Sequence, residues 1–110
     1  MKVSEIVTML NTLNMPVTYY QFPNEVAPPC PFLCYYFPNS DNMSADNIVY
    51  AKINALNIEL YTDKKDFALE ESLESLLTSN GFYWYKSEQY LNTEHMYMVT
   101  YEMEAYINGE

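Results

Sequence analysis

The chain has 110 residues, which is one small domain (1–110) that buries roughly two-thirds of its unfolded surface. Hydrophobic residues make up 49%, and 15 acids oppose five lysines and no arginine, for a formal net charge of -10. The hydrophobic share excludes a disordered chain. The charge excludes a nucleic-acid binder that works by neutralising phosphates, and it disfavours an anionic membrane surface.

Val3, Ile6, Val7, Leu10 and Leu13 recur at helical spacing, which predicts an amphipathic helix over 3–13. Asn14 and Pro16 end it. The β-branched and aromatic run VTYYQF predicts a strand over 17–22. Prolines 28, 29 and 31 break regular structure, because proline cannot donate to a ladder. A second strand follows at Phe32–Phe37 and stops at Pro38. Residues 38–47, PNSDNMSADN, carry turn chemistry throughout and read as an extended loop.

A long strand is predicted from about Ile48 to Thr62. Leu56, Ile58 and Leu60 share one face, whereas Val49, Ala51, Ile53 and Ala55 occupy the opposite parity. A bulge or bend near residue 55 would reconcile them, and the start of so long a strand would project beyond the sheet. Asp63 and Asp66 both offer N-caps for a second helix. Its apolar stripe is Leu69, Leu73, Leu76 and Leu77, with Glu70, Glu71 and Glu74 facing water, and Asn80-Gly81 stops it. Two strands close the chain, at 82–91 and about 95–107, joined by a turn at Asn92-Thr93-Glu94.

The order α-β-β-β-α-β-β defines an α+β fold. We expect a two-layer domain with a mainly antiparallel sheet of four to five strands and both helices on one face. The other face then carries Glu59, Tyr61, Glu102 and Glu104. No stretch reaches the 18 or so apolar residues of a bilayer span. The start, MKVSEIVTMLNTLNMP, has spaced apolar residues and a Glu5, so it does not read as a signal peptide. A chain with only two cysteines, Cys30 and Cys34, has no disulfide framework, and we expect it to be intracellular at synthesis.

The residues offer little for catalysis. Zinc needs about four ligands, and His95 is the only histidine. Cys30 and Cys34 would lie on one side of a strand and read as small apolar residues. The two glycines, Gly81 and Gly109, cannot form a phosphate-binding loop. Paired acids such as Glu70-Glu71 and Glu102/Glu104 read as solvated faces, and Asp63-Lys64-Lys65-Asp66 as a charged helix start. We therefore expect no catalytic, cofactor or metal site and no enzyme activity. Twelve Tyr and seven Met are an excess for so small a core. Tyr suits interfaces and equally suits half-buried strands.

Several segments carry a resemblance. Pro38-Asn39-Ser40, Ala45-Asp46-Asn47, the run Ile58-Glu59-Leu60-Tyr61-Thr62-Asp63-Lys64-Lys65-Asp66 and the Tyr-rich final hairpin resemble a family of small morphogenesis proteins of long-tailed phages and prophages of Gram-positive bacteria. Such proteins look like tail terminators, also called tail completion or head-tail joining proteins. The resemblance covers most of the chain beyond residue 15, while Pro28-Pro29-Cys30-Pro31 has no counterpart in it. It implies an α/β sandwich around an antiparallel sheet. It also implies a homo-hexameric ring that caps the tail tube, ends its polymerisation and meets the head connector. Its partners would be the tail tube protein and the head-completion protein, with DNA passing through unbound. The protein would be assembled in the host cytoplasm and reside at the neck of the virion tail.

A ring needs head-to-tail contacts. Candidate subunit-interface residues are Asn39, Ser40, Asp41, Asn42, Met43 and Asp46 of the loop, Tyr50 of the projecting strand, and Tyr61, Met96 and Met98 of the open face. Glu59, Glu102 and Glu104 are candidate lumen-facing acids that would repel DNA from a channel wall. Two other readings stay open. One is a different neck component, an adaptor or stopper. The other is an acidic DNA-mimic inhibitor of a host defence enzyme, which would array its acids on one surface, whereas here they are spread over helix, strand and loop.

Overall fold

A computed structural model describes residues 1–22, 27–40, 43–45, 48–51 and 53–109, with the backbone course alone described at 43–45 and 48–51. Helix α1 spans Val3–Asn11. Strands β1 (Val17–Tyr19), β2 (Phe32–Tyr36), β3 (Met43–Ala45), β4 (Ile48–Ala51) and β5 (Ile53–Thr62) follow, then α2 (Phe67–Ser79), β6 (Tyr85–Leu91) and β7 (Met96–Tyr106). The fold is α+β, as the periodicities require. Five strands form one sheet in the order β1-β2-β5-β7-β6, and β3 and β4 form a separate two-stranded sheet. Pairing is antiparallel except at one edge, where β1 runs parallel to β2.

The alternation in β5 and β7 decides which face is covered. Leu60 lies opposite Leu33 and Val99, Ile58 opposite Tyr35 and Tyr101, and Leu56 opposite Met103. These residues are buried, and Ile6 and Leu10 of α1 and Leu73 and Leu77 of α2 pack into the same cluster. Both helices therefore cover one face of the sheet, each presenting an apolar stripe at helical spacing. The N-terminus runs beside the end of β7: the Met1 amino group donates to the Tyr106 carbonyl at 3.0 Å, and the Val3 N–H to the Gly109 carbonyl at 3.1 Å.

Several expected boundaries shift. Helix α1 ends at Asn11 rather than residue 13, and Asn14 adopts a left-handed φ of 57°. Strand β1 ends at Tyr19 because Tyr20 turns to φ 65°. Asp66, not Asp63, caps α2, its carboxylate accepting from the Leu69 N–H at 3.0 Å. The stop at Asn80-Gly81 holds, with Gly81 at φ 86°. The final turn occupies residues 92–95, one longer than expected, and His95 is left-handed at φ 54°.

Two corrections matter for function. First, the β5–β7 ladder is unbroken from Ile53–Tyr106 to Thr62–Tyr97, so no bulge interrupts it near residue 55. The predicted long strand is two strands, and within β5 Ile53 and Ala55 lie on the open face while Leu56, Ile58 and Leu60 lie on the covered one. β4 pairs with β3, and β5 joins the main sheet. Second, the expected 38–47 loop is partly regular, since Met43–Ala45 forms one side of a hairpin. An irregularity in that hairpin lies between Met43 and Ser44. The molecule measures 51 × 31 × 23 Å with a radius of gyration of 15.0 Å, above the roughly 13 Å of a compact domain this long. The hairpin is an arm, not a part of the body.

Candidate assembly surface

The open face of the sheet starts from the residues that alternate away from the helices. From one edge to the other, Tyr36, Asn57, Glu102 and Tyr85 form one row, Cys34, Glu59, Thr100 and Ser87 the next, and Phe32, Tyr61, Met98 and Gln89 a third. Glu59, Tyr61, Glu102 and Glu104 thus share this face, as the alternation requires.

One half of the face is packed with aromatic rings, which line a hollow of about 340 Å³ with Cys34, Leu91 and Met96. Phe32 stacks on Tyr61 with centroids 4.7 Å apart, Phe22 meets Phe32 edge-on at 5.4 Å, and Tyr20 lies 5.1 Å from Tyr36. Phe32 and Cys34 are buried beneath these rings although no helix covers them. Glu59 is held within this half. It accepts hydrogen bonds from the Tyr61 hydroxyl at 2.7 Å and the Tyr36 hydroxyl at 3.1 Å, and Asn57 donates to Tyr36 at 3.2 Å. Burial, then the bond to Glu59 and its charge, push the Tyr61 hydroxyl far above its ordinary pKa. Burial and the Glu59 charge likewise push the Cys34 thiol up to about 11, and burial with the Asp63 charge raises Cys30. Neither is an activated nucleophile, because the thiolate is the reactive form. Among the described residues no three His, Cys, Asp or Glu side chains gather as a metal would need.

The other half, at the foot of the arm, is open. A hollow of about 700 Å³ is lined by Asn39, Ala55 and Asn57 on one side and by Tyr83, Tyr85, Glu102, Glu104 and Tyr106 on the other. Tyr83 is 80% exposed, Tyr85 67% and Tyr106 59%, and Tyr83 meets Tyr85 edge-on at 5.7 Å. The arm is tied to this rim by the Ala55 N–H donating to the Asn39 carbonyl at 2.9 Å and by a bridge between Ser40 and Asn54.

The candidate interface residues therefore separate into groups. Asn39 and Ser40 are exposed at the arm's base, Met43 lies in β3 and Tyr50 in β4. Asp41, Asn42 and Asp46 lie outside the described residues. Tyr61, Met96 and Met98 are half-buried at the opposite end of the open face. Of the candidate lumen acids, Glu102 and Glu104 are exposed on β7 at the hollow, whereas Glu59 is half-buried and already engaged by two hydroxyls. Sequence reasoning did not single out Tyr83, Tyr85 or Tyr106. The last two lie on the open-face parity of their strands, which alternation could have shown. Tyr83 precedes β6, where no periodicity applies.

The expectation that Glu70 and Glu74 face water is corrected. Glu70 is only 1% exposed, and its carboxylate lies 2.6 Å from the Lys65 Nζ and 2.7 Å from the Lys86 Nζ. Lys86 also pairs with Glu74 at 2.8 Å, Lys65 with Glu88, and the buried Tyr101 hydroxyl donates to Glu74 at 2.7 Å. Lys86 and Glu88 stand on the helix-facing side of β6, so the sheet edge supplies the charges that close over α2. This network is structural and lies on the side away from the hollow.

Neither helix is long and apolar enough to cross a membrane. Compared with known proteins, the chain matches no family model and no curated protein.

Proposed function

We propose that this protein is a structural component of a phage tail neck, a tail terminator whose copies form a ring on the tail tube, stop its growth and join it to the head connector. The observation that carries the reading is the β3–β4 arm. A two-stranded hairpin alone is marginal in water, so its retention outside the body sheet is accounted for by docking on another chain. An arm on one surface and a receiving surface elsewhere make the head-to-tail contact from which closed rings are built. Six copies is the number the family resemblance suggests. The interior of such a ring would carry acids, and Glu102 and Glu104 are exposed enough to contribute to it. Action by shape complementarity is supported by the exposed tyrosines around the hollow, a residue type enriched at protein contacts.

The DNA-mimic reading is weakened by the placement of the acids. Glu59, Glu70, Glu74 and Glu88 are engaged by hydroxyl or ammonium groups within the chain, leaving no single surface of free carboxylates built from them. Phage lacking the protein should assemble heads and tails that fail to join, with tails of irregular length in electron micrographs. Normal-length tails joined to heads would overturn the proposal. Retention of portal rather than tube protein in a pull-down would move the assignment to an adaptor or stopper.

A further inference from the structure

We propose that the β3–β4 arm of one copy lies across the tyrosine-lined hollow of the next, so that the hollow is the acceptor in a head-to-tail contact. This inference rests on the reading that the chain assembles with itself, and it names the surface that reading leaves open. Three observations meet in it. Among the described residues the arm pairs with no strand of the main sheet. Its second strand has the sequence Ile48-Val49-Tyr50-Ala51, an uncharged β-branched and aromatic run that favours a covered, pleated setting, and it is paired only to the short β3 among the described residues. The hollow is open. Tyr83, Tyr85 and Tyr106 together expose aromatic surface around a concavity of about 700 Å³, and buried Tyr is the residue type that anchors interfaces.

The third observation is polarity. At the Phe32–Tyr61 end the rings pack on one another and leave a hollow of about 340 Å³, half the volume of the one at the other end. Arm and hollow are different surfaces, hence the contact is heterologous and repeats from copy to copy until it closes. Asn39, Asn57, Glu102 and Glu104 at the rim offer hydrogen-bonding groups to the hydroxyls and main chain of an incoming hairpin. A rim of polar groups around an aromatic centre is the arrangement of a specific protein contact.

Complementation between two defective chains tests the inference. One variant replaces residues 41–52 by a short Gly-Ser linker, keeping the hollow and losing the arm. The other, Tyr83→Glu with Tyr85→Glu, keeps the arm and spoils the hollow. Tyr83 and Tyr85 are exposed, and thermal melts verify that both variants stay folded. Each variant alone should be monomeric by native mass spectrometry at concentrations where the wild-type chain associates. An equimolar mixture should give one-to-one heterodimers and stop there, because only one intact arm and one intact hollow remain. A mixture that stays monomeric, a tyrosine variant that associates like wild type, or a wild-type chain monomeric up to its solubility limit would each overturn the inference. Heterodimers from a chain that ignores tail tubes would leave the inference standing and sink the tail reading. Normal capping by the tyrosine variant would do the reverse.

Discussion

Glu70 is buried against the ammonium groups of Lys65 and Lys86. Burial alone would raise its carboxyl, but the close ammonium groups of Lys65 and Lys86 outweigh burial and hold it below the ordinary value of 4.5. Removing it would leave two lysines facing each other across a vacated site. We therefore expect Glu70→Ala to cost about 3 kcal/mol at neutral pH, near the lower limit for breaking a buried pair because both lysines keep some access to water. The sign with pH follows from the lowered folded-state value. The contribution is complete above the ordinary carboxylate range and is lost as pH falls through the depressed value. Urea unfolding of Glu70→Gln should thus show a weaker loss of stability on acidification than wild type. Parallel curves for the two chains would remove Glu70 from the acid response. None of this was visible from Glu70, Glu71 and Glu74 as a run of acids, since Lys86 reaches Glu70 only through the pairing of β6 with β7.

At the scale of elements, helix ends and strand faces were legible because each depends on neighbours in the chain. Asp66 caps α2 and Gly81 follows it with φ 86°, both local matters of backbone geometry. A Cβ at Gly81 would meet nothing within 4 Å, so Gly81→Ala costs only the left-handed conformation, about 1 kcal/mol. A melting temperature lowered by several degrees, with an unchanged fold by circular dichroism, is the expected result. The arm was legible in part. The switch of apolar parity after Ala55 does not mark the break, because Ile53, Ala55 and Leu56 lie on one unbroken ladder. Periodicity could not say whether one strand bends or two strands part company, because that depends on β4 finding β3 instead of β7. The loop 38–47 concealed a strand for a related reason. Met43-Ser44-Ala45 has weak β preference of its own and becomes a strand by pairing with a stronger one.

For the whole molecule, the charge of -10 opposes assembly. Copies brought together repel at long range, and exposed Glu102 and Glu104 add to this at the proposed contact. Raising ionic strength from about 0.1 M to about 1 M shortens the Debye length from about 10 Å to about 3 Å. Association measured by sedimentation should strengthen several-fold over that range, and Glu102→Gln with Glu104→Gln should flatten the dependence. Association that weakens with salt would mean that attractive ion pairs, not apolar and aromatic contacts, hold copies together.

The class of fold and the face that is buried were both determined by the order of residues alone. Alternation in β7 and helical spacing in α1 and α2 are properties of adjacent positions, and hydrophobic burial acts on them wherever the chain goes. Tertiary structure alone decided the parallel edge at β1, the capture of Glu70 by two lysines, the withdrawal of Glu59 beneath tyrosine hydroxyls and the hollow between Tyr83 and Tyr106. Each joins residues far apart in the chain, and the free energy that selects such a meeting belongs to the packed whole rather than to any stretch of it.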